Sequence, residues 1–138
     1  MRRNIICFLT ILVAALYCSE AKKFTPCEFA NELKRNGLTD LGNWVCLAES
    51  ESSLNTTKVG GPNRNKSLDY GIFQINNKYW CKEGEKGGDC KIRCEDLKDD
   101  SITDDIECAK LIYKRQGFKA WYGWRNKCQG SLPDLSKC

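Results

Sequence analysis

The residues best suited to acid–base chemistry in this chain are carboxylic acids, because its 138 residues include no histidine. Catalysis by a Ser-His-Asp triad, a Cys-His pair or a histidine-bound metal is therefore excluded. Two carboxyl groups with separated pKa values can do the same proton transfers at neutral pH, and such pairs cleave glycosidic bonds. Glu51 and Asp69 are the candidates for this pair.

The elements that would position these two residues can be predicted from local patterns. Residues 25–28 have the form of a capping box and predict the start of a first helix. A second helix is predicted over residues 41–52 and carries the candidate glutamate. Residues 67–76 have the best strand composition in the chain and carry the candidate aspartate. A further helix is predicted to start near Thr103, so helices at both ends and strands between them favour an α+β fold.

The residues alone prefer Glu51 only weakly over Glu49. Both lie near the end of the second predicted helix, and residues two apart point to different sides of a helix. One of them can enter a cleft while the other stays solvated, and a solvated charge is the ordinary alternative for each. Asp69 is harder to explain as a surface charge because aspartate is depleted in strands, although a turn at the strand edge would also accommodate it.

Aromatic and amide side chains form a second group of candidates. Tyr79 and Trp80 directly precede a cysteine, and Gln74 and Asn76 lie a few residues before them. Sugar rings have apolar faces that stack on aromatic rings, and their hydroxyls pair with amides. We expect Tyr79 and Trp80 to form an exposed binding rim.

The N-terminus has the pattern of a secretory signal peptide. Arg2 and Arg3 precede a mostly apolar run over residues 5–17, and small residues at Ser19 and Ala21 stand at cleavage spacing. We predict a signal peptide over residues 1–21 and a single mature domain over residues 22–138. The alternative of a membrane anchor is disfavoured because a span needs about 20 apolar residues.

Charge and cysteine content indicate a small extracellular domain. The net charge of +4 is too small to suggest a nucleic-acid partner or a membrane-active cationic protein. Eight cysteines remain in the predicted mature chain, which implies four disulfides, but counting leaves about 105 possible connectivities. Zinc is a weak alternative because histidine is missing and only Cys90 and Cys94 are closely spaced.

Taken together, these residues resemble those of the c-type (chicken-type) lysozymes, and most closely the insect branch, over essentially all of residues 22–138. The eight cysteines fall in the family's order with nearly matching spacing. The segments that match are residues 43–46, 51–52, 55–56, 69–76, 79–81 and 120–126. The resemblance implies a helical lobe from both chain ends, a small antiparallel β lobe near residues 55–80, and an active-site cleft between them.

The resemblance also implies roles for individual residues. Glu51 matches the general acid, since it lies five residues after Cys46, and Asp69 matches the second catalytic carboxylate. Trp121 matches the tryptophan that makes the pocket of the acid apolar. The implied sugar-binding residues are Asn76, Tyr79, Trp80, Ala120 and Trp121. The implied disulfides are Cys27–Cys138, Cys46–Cys128, Cys81–Cys94 and Cys90–Cys108.

The activity implied by the resemblance is that of a secreted lysozyme (muramidase). Such an enzyme hydrolyses β-1,4 links between N-acetylmuramic acid and N-acetylglucosamine in bacterial peptidoglycan by a retaining two-carboxylate mechanism, in antibacterial defence or digestion. It requires no cofactor, acts as a monomer and does not insert stably into membranes. The alternative is a non-catalytic glycan-binding or lactalbumin-like modifier, but non-enzymatic relatives commonly lose one of the carboxylates that this chain retains.

An acidic segment raises the question of a structural calcium ion. Asp99, Asp104 and Asp105 resemble the carboxylate ligands of α-lactalbumins and calcium-binding lysozymes, with the carbonyls of Asp96 and Ser101 completing the cage. Clustered hard oxygens suit calcium. The alternative is an acidic helix start that needs no ion, and the sequence leaves the two open, with the acidic start favoured.

Two further features concern the surroundings of the predicted cleft. Residues 114–116 are Lys-Arg-Gln where vertebrate members often carry an aspartate at the far end of the sugar cleft, so we expect distal sugar binding to differ. Asn55 and Asn65 each begin a glycosylation sequon, and their use stays open.

Overall fold

The computed structural model of the chain describes residues 5–7, 18–20 and 22–138. Most of the predicted signal peptide, including its end at Ala21, lies outside the described residues and stays a prediction. Strands β1 (Ile5–Cys7) and β2 (Cys18–Glu20) pair antiparallel. Within the described part of the chain, no helix is both long and apolar enough to cross a membrane.

Four α-helices form one lobe of the described residues 22–138. They are α1 (Pro26–Arg35), α2 (Leu41–Ser52), α3 (Thr103–Gln116) and α4 (Tyr122–Lys127). The predicted capping box is present, since the amide of Glu28 donates to the Thr25 hydroxyl at 3.2 Å and the Thr25 amide donates to the Glu28 carboxylate at 3.4 Å. The predicted bounds of α2 and the predicted start of α3 are confirmed. Two 3₁₀ turns, Cys94–Leu97 and Phe118–Ala120, complete the helical structure described.

A small antiparallel sheet forms the other lobe. Its strands are β3 (Val59–Gly60), β4 (Asp69–Tyr70) and β5 (Ile75–Asn76), in the order β3-β4-β5. Asp69 therefore lies on the central strand, where it is paired with Gly60 on one side and Asn76 on the other. The predicted α+β fold with a small β lobe is confirmed.

The segment predicted as one strand, residues 67–76, is in fact a hairpin. Gly71 has a φ of +77°, and a Cβ there would lie 1.7 Å from the Leu97 carbonyl oxygen, so the chain turns at a residue that must be glycine. The backbone amide of Gln74 donates to the Gly71 carbonyl at 3.0 Å and closes the turn. Ile72 and Phe73 in this turn are fully buried, so core packing accounts for a composition that predicted a strand.

One hydrophobic core connects the two lobes. Trp44 of α2 lies at its centre, with its ring centroid 5.9 Å from that of Phe73 in the hairpin and 5.7 Å from that of Trp121. The side chains of residues 44–48 are all buried, so this stretch of α2 is held on every side. The Glu51-bearing end of the helix is therefore fixed to both the hairpin and the segment that leads into α4.

Within residues 22–138, four disulfides join the eight cysteines in the pairs that the resemblance implies, with Cα–Cα distances of 5.1–5.8 Å. Cys27–Cys138 closes the longest loop, with a sequence separation of 111, and Cys46–Cys128 connects α2 to the end of α4. The predicted pairing is confirmed.

Candidate active site

A cleft of about 570 Å³ is lined by residues of both lobes. It contains Glu51 from α2 and Asp69 from β4. All five residues that the resemblance assigns to sugar binding also line it: Asn76, Tyr79, Trp80, Ala120 and Trp121. The structure thus brings together residues that are up to 70 positions apart in the chain, from Glu51 to Trp121, and it does so between the predicted lobes.

Glu51 lies in the last turn of α2 with its carboxyl group partly buried. Burial raises the pKa of this carboxyl, and the negative charge of Asp69 raises it further. A hydrogen bond from the Gly123 amide to Oε1, 2.8 Å long, and the positive charge of Lys58 act in the opposite direction. The balance is a raised pKa, which favours the protonated form that a general acid needs.

The close approach of Gly123 to Glu51 depends on the absence of a side chain. A Cβ at this position would lie 2.9 Å from Oε1 of Glu51 and 3.0 Å from Cβ of Ser50. Gly123 therefore lets the backbone amide at the start of α4 reach the carboxylate.

Glu49 lies outside this cleft. It lines two other grooves, one beside Cys46 and Leu132 and the other beside Phe24 and Leu54. Helical geometry alone left both glutamates as candidates. Packing decides between them, because the buried face of α2 directs Glu51 and not Glu49 to the boundary between the lobes.

Asp69 lies in a polar environment made by neighbouring side chains. The amides of Asn63 and Asn76 donate to its two carboxylate oxygens at 3.0 and 2.9 Å. The same two amides donate to the hydroxyl of Ser67 at 2.9 and 2.8 Å. The two amide donors fix the orientation of the aspartate carboxylate. Asn76, expected to hold sugar, thus also holds Asp69.

Trp121 forms an apolar wall of the cleft. Its side chain is buried, and its indole nitrogen donates to the Phe73 carbonyl at 2.9 Å. The hydrogen bond satisfies the one polar atom of the indole, so the rest of the ring can exclude water from this side of the cleft. Ala120, immediately before it, lines the same side.

The exposure expected for the aromatic rim is confirmed for Tyr79 and is wrong for Trp80. Tyr79 is 58% exposed, whereas Trp80 is only 8% exposed and belongs to the hydrophobic core while still lining the cleft. Its neighbour Cys81 forms a disulfide with the fully buried Cys94, so this part of the chain lies against the core and Trp80 is buried with it. The Arg115 guanidinium lies 5.6 Å from the centroid of the Trp80 ring.

Several cleft residues were missed at the sequence level. Asn63, Arg64 and Asn65 lie in a turn-rich segment whose composition indicates a loop and not a binding surface. Tyr122, at the start of α4, was also missed, whereas Gln116 belongs to the stretch expected at the far end of the cleft and does line it. The side chain of Asn65 accepts a hydrogen bond from the Ser67 amide at 3.0 Å, so this sequon lies at the cleft itself.

The acidic residues form a cluster away from the cleft. Carboxylate oxygens of Asp99, Asp104 and Asp105 lie within 4.8 Å of one another. Asp105 is 1% exposed, and neither of its carboxylate oxygens has a hydrogen-bond partner among the described residues. Its burial, followed by its proximity to Asp104, raises its pKa well above the usual value.

The favoured acidic helix start is present, since Asp104 and Asp105 lie in the first turn of α3, but side-chain capping does not account for the cluster. Residue Ile102 occupies the N-cap of α3, and no side chain caps the helix there. Asp104 accepts a hydrogen bond from the Asp105 amide at 3.0 Å, but the carboxylate of Asp105 accepts none from the described residues. A buried pair of unpartnered oxygens is costly without a partner of opposite charge.

The two-lobed α+β fold, with a half-buried acid and a hydrogen-bonded aspartate in one cleft, defines a glycoside hydrolase of the lysozyme type. The chain belongs to the C-type lysozyme/alpha-lactalbumin family, whose model matches residues 22–138. It is 53% identical to lysozyme c-1 of Anopheles gambiae over 95% of this chain and 97% of the mosquito chain. It is 52% identical to a lysozyme of Bombyx mori over the full length of both chains.

Solved structures of lysozymes have the same fold. Recombinant wild-type canine milk lysozyme in its apo form superposes with a TM-score of 0.76 at 46% identity, covering 84% of this chain and 95% of the canine chain. A calcium-binding lysozyme from equine milk superposes with a TM-score of 0.75 at 43% identity, with the same coverage. The expected family, its insect branch and its enzymatic class are confirmed, and none of these relatives supports a non-catalytic modifier.

Proposed function

We propose that this lysozyme hydrolyses the β-1,4 bonds between N-acetylmuramic acid and N-acetylglucosamine in bacterial peptidoglycan, with Glu51 as general acid and Asp69 as its partner. The observation that carries the proposal is the contrast between the two carboxyl groups in one cleft. Burial raises the pKa of Glu51, while two amides donate to Asp69. Different environments give the two groups different roles, and lysozymes are the type case of this arrangement.

The first step is cleavage of the glycosidic bond. Protonated Glu51 gives its proton to the bridging oxygen, and the leaving sugar departs as an alcohol. Asp69 attacks the anomeric carbon as that bond breaks, which gives a glycosyl-enzyme intermediate. The amides of Asn63 and Asn76 orient the attacking carboxylate.

The second step releases the product. Glu51, now ionised, removes a proton from a water molecule, and the resulting hydroxide displaces Asp69 from the anomeric carbon. The two displacements give net retention of configuration. The amide of Gly123 and the charge of Lys58 stabilise the ionised form of Glu51 during this interval.

Substrate binding is assigned to the remaining cleft residues. Tyr79 offers an exposed ring for stacking on a sugar face, and Trp80 and Trp121 supply apolar walls. We also assign polar contacts with the sugar to the side chain of Asn76 and the backbone of Ala120, because both residues line the same cleft. We assign the enzyme to the extracellular space as a monomer that acts on cell-wall peptidoglycan without a nucleic-acid partner or stable membrane insertion.

Replacement of Glu51 by glutamine tests the assignment. The variant keeps the shape of the side chain but has no carboxyl proton, so lysis of bacterial walls should fall by about 10²–10⁴-fold. Binding of chitin oligosaccharides, measured by calorimetry, should stay close to wild type. Lysis is measured by clearing of a bacterial wall suspension.

Glu49→Gln is the matched control, because Glu49 lies on the same helix two residues away and lines other grooves. It should lyse walls at the wild-type rate. Near-normal lysis by Glu51→Gln, or loss of lysis in Glu49→Gln at unchanged stability, would reject the assignment of the acid.

A structural calcium ion is a second proposal for this chain, supported by the buried and unpartnered carboxylate of Asp105. Asp99, Asp104 and Asp105 would hold the ion through side chains, and the carbonyls of Asp96 and Ser101 would complete the cage. The ion would neutralise the clustered carboxylates, of which only that of Asp105 is buried, and stabilise the start of α3. It takes no part in the hydrolysis, for which no cofactor is required.

A further inference from the structure

The hydroxyl of Ser52 connects the catalytic helix to the catalytic hairpin. Ser52 is the last residue of α2, directly after Glu51, and is 3% exposed. Its hydroxyl lies 2.7 Å from the carbonyl oxygen of Ile72 in the β4–β5 turn and 3.0 Å from that of Ala48, one turn back in the helix. A hydroxyl has one proton to donate, and the shorter contact crosses to the β lobe.

A second buried hydrogen bond reaches the same turn from the other side of the acid. The indole nitrogen of Trp121 donates to the carbonyl of Phe73, next to that of Ile72. Ser52 and Trp121 thus donate to consecutive carbonyls of one tight turn. Ser52 directly follows Glu51, and Trp121 forms the wall of the cleft. Asp69 lies three residues before Ile72, at the start of this hairpin.

A third polar contact joins the same end of α2 to the segment before β3, and it is exposed to solvent. The ammonium group of Lys58 donates to the Glu51 carbonyl at 2.8 Å, but Lys58 is an exposed residue. Water competes for an exposed hydrogen bond, whereas a buried donor that is removed leaves its acceptor without a replacement. The Ser52 bond should therefore dominate the spacing between the helix end and the hairpin.

We propose that Ser52 is a positioning residue that sets the distance between Glu51 and Asp69, an inference that rests on the catalytic roles proposed above. The groups that face Glu51 are Asp69 from β4, Lys58 from the segment before β3, and the Gly123 amide from α4. Loss of the Ser52 bond lets the hairpin move away from α2 and admits water between the lobes. Glu51 is then better solvated and farther from the negative charge of Asp69.

Ser52→Ala removes the bond, and Ser50→Ala removes a hydroxyl from the same helical turn that does not reach the hairpin. The pair Ser52→Thr and Ser52→Val separates the hydroxyl from side-chain shape, because threonine and valine are nearly isosteric and differ in that group. It also keeps the test valid if Ser52→Ala does not fold. For each variant, kcat, KM and the pH profile of kcat are measured on a soluble oligosaccharide, well below its Tm.

The expected result for Ser52→Ala is a fall in kcat of about tenfold to a hundredfold, the scale of loss when reacting groups are misplaced by about 1 Å. KM should change by less than about twofold, since the lost contact acts in the transition state and not in substrate binding. The alkaline limb of kcat should move to lower pH. Ser52→Thr should restore both, while Ser52→Val should not, and Ser50→Ala should match wild type.

A lowered Tm in Ser52→Ala or Ser52→Val with an unchanged kcat and alkaline limb would overturn the inference and leave Ser52 a structural residue. Equal kinetics for the threonine and valine variants would do the same. The proposed catalytic roles fail separately, through an active Glu51→Gln. An inactive Glu51→Gln beside kinetically normal Ser52 variants rejects only the positioning role.

Discussion

At the residue scale, the protonation of Glu51 is controlled by contacts from three different elements. Burial has the largest effect and raises the pKa of Glu51, whereas the hydrogen bond from Gly123 lowers it. The negative charge of Asp69 raises this pKa and the positive charge of Lys58 lowers it. The proposed acid acts only while protonated, so activity should be lost as the pH rises through this raised pKa. Removing one of the charged neighbours should shift the alkaline limb of the pH profile of kcat, in the direction set by the sign of the charge removed.

Lys58→Met removes a positive charge that favours ionised Glu51, so the pKa of Glu51 should rise and the alkaline limb of kcat should move to higher pH. The shift should be about 0.1–0.7 pH unit, because an exposed pair contributes about 0.2–1 kcal/mol and one pKa unit is about 1.36 kcal/mol. It should shrink with added salt. Lys34→Met, at the end of α1, is the control; a shift to lower pH in Lys58→Met would contradict the argument.

At the element scale, the β4–β5 hairpin connects the site to the rest of the molecule. Gly71 in its turn packs against the carbonyl of Leu97, and a Cβ there would also lie 2.8 Å from the carboxylate of Asp105. The hairpin that carries Asp69 is therefore in direct contact with the acidic cluster. Its position is determined by backbone packing on one side and by the Ser52 and Trp121 bonds on the other.

Gly71→Ala should destabilise the protein far more than Gly37→Ala. Both glycines have positive φ, at +77° and +80°, but a Cβ at Gly37 meets nothing within 4 Å whereas one at Gly71 overlaps the Leu97 carbonyl. The Gly37 variant should lose about 1 kcal/mol from backbone strain, and the Gly71 variant about 3 kcal/mol or more. Denaturant unfolding measures both values. Equal losses would show that the hairpin can move away from Leu97 at little cost.

At the scale of the whole molecule, four disulfides hold together a domain with a modest core. Cys27–Cys138 joins the first helix to the end of the chain, and Cys90–Cys108 and Cys81–Cys94 surround the loop that leads to the acidic cluster. Cross-links that close long loops stabilise mainly by restricting the unfolded chain. The stability that the disulfides provide can offset a local destabilisation such as that from the buried carboxylate of Asp105.

Calcium should raise the Tm of the whole domain relative to a chelator. Binding to the folded state alone stabilises by about 2.7 kcal/mol at a hundredfold excess over Kd, which corresponds to several degrees in Tm. Asp105→Asn should abolish the difference, and Asp100→Asn, an exposed neighbour outside the cluster, should keep it. The same Tm for the wild-type chain in calcium and in chelator would exclude the proposed ion.

Much of the fold could be predicted because it depends on residue types and on the spacing of residues that are close together in the chain. The capping box that starts α1 involves residues three apart, and the bounds of α2 follow a local apolar pattern. The resemblance then supplied the disulfide pairs and the cleft residues. The hairpin in residues 67–76 was missed because its turn residues, Ile72 and Phe73, are apolar for reasons of core packing.

The sequence by itself determined that carboxyl groups must do the acid–base work, because it contains no histidine, and it placed Glu51 and Asp69 in a lysozyme pattern. Only the tertiary structure decided that Glu51 enters the cleft while Glu49 does not, and that its pKa is raised. The reason is that these properties come from contacts between distant segments. The amide of Gly123, which binds Glu51, lies 72 positions away in the chain, beyond the reach of any local pattern.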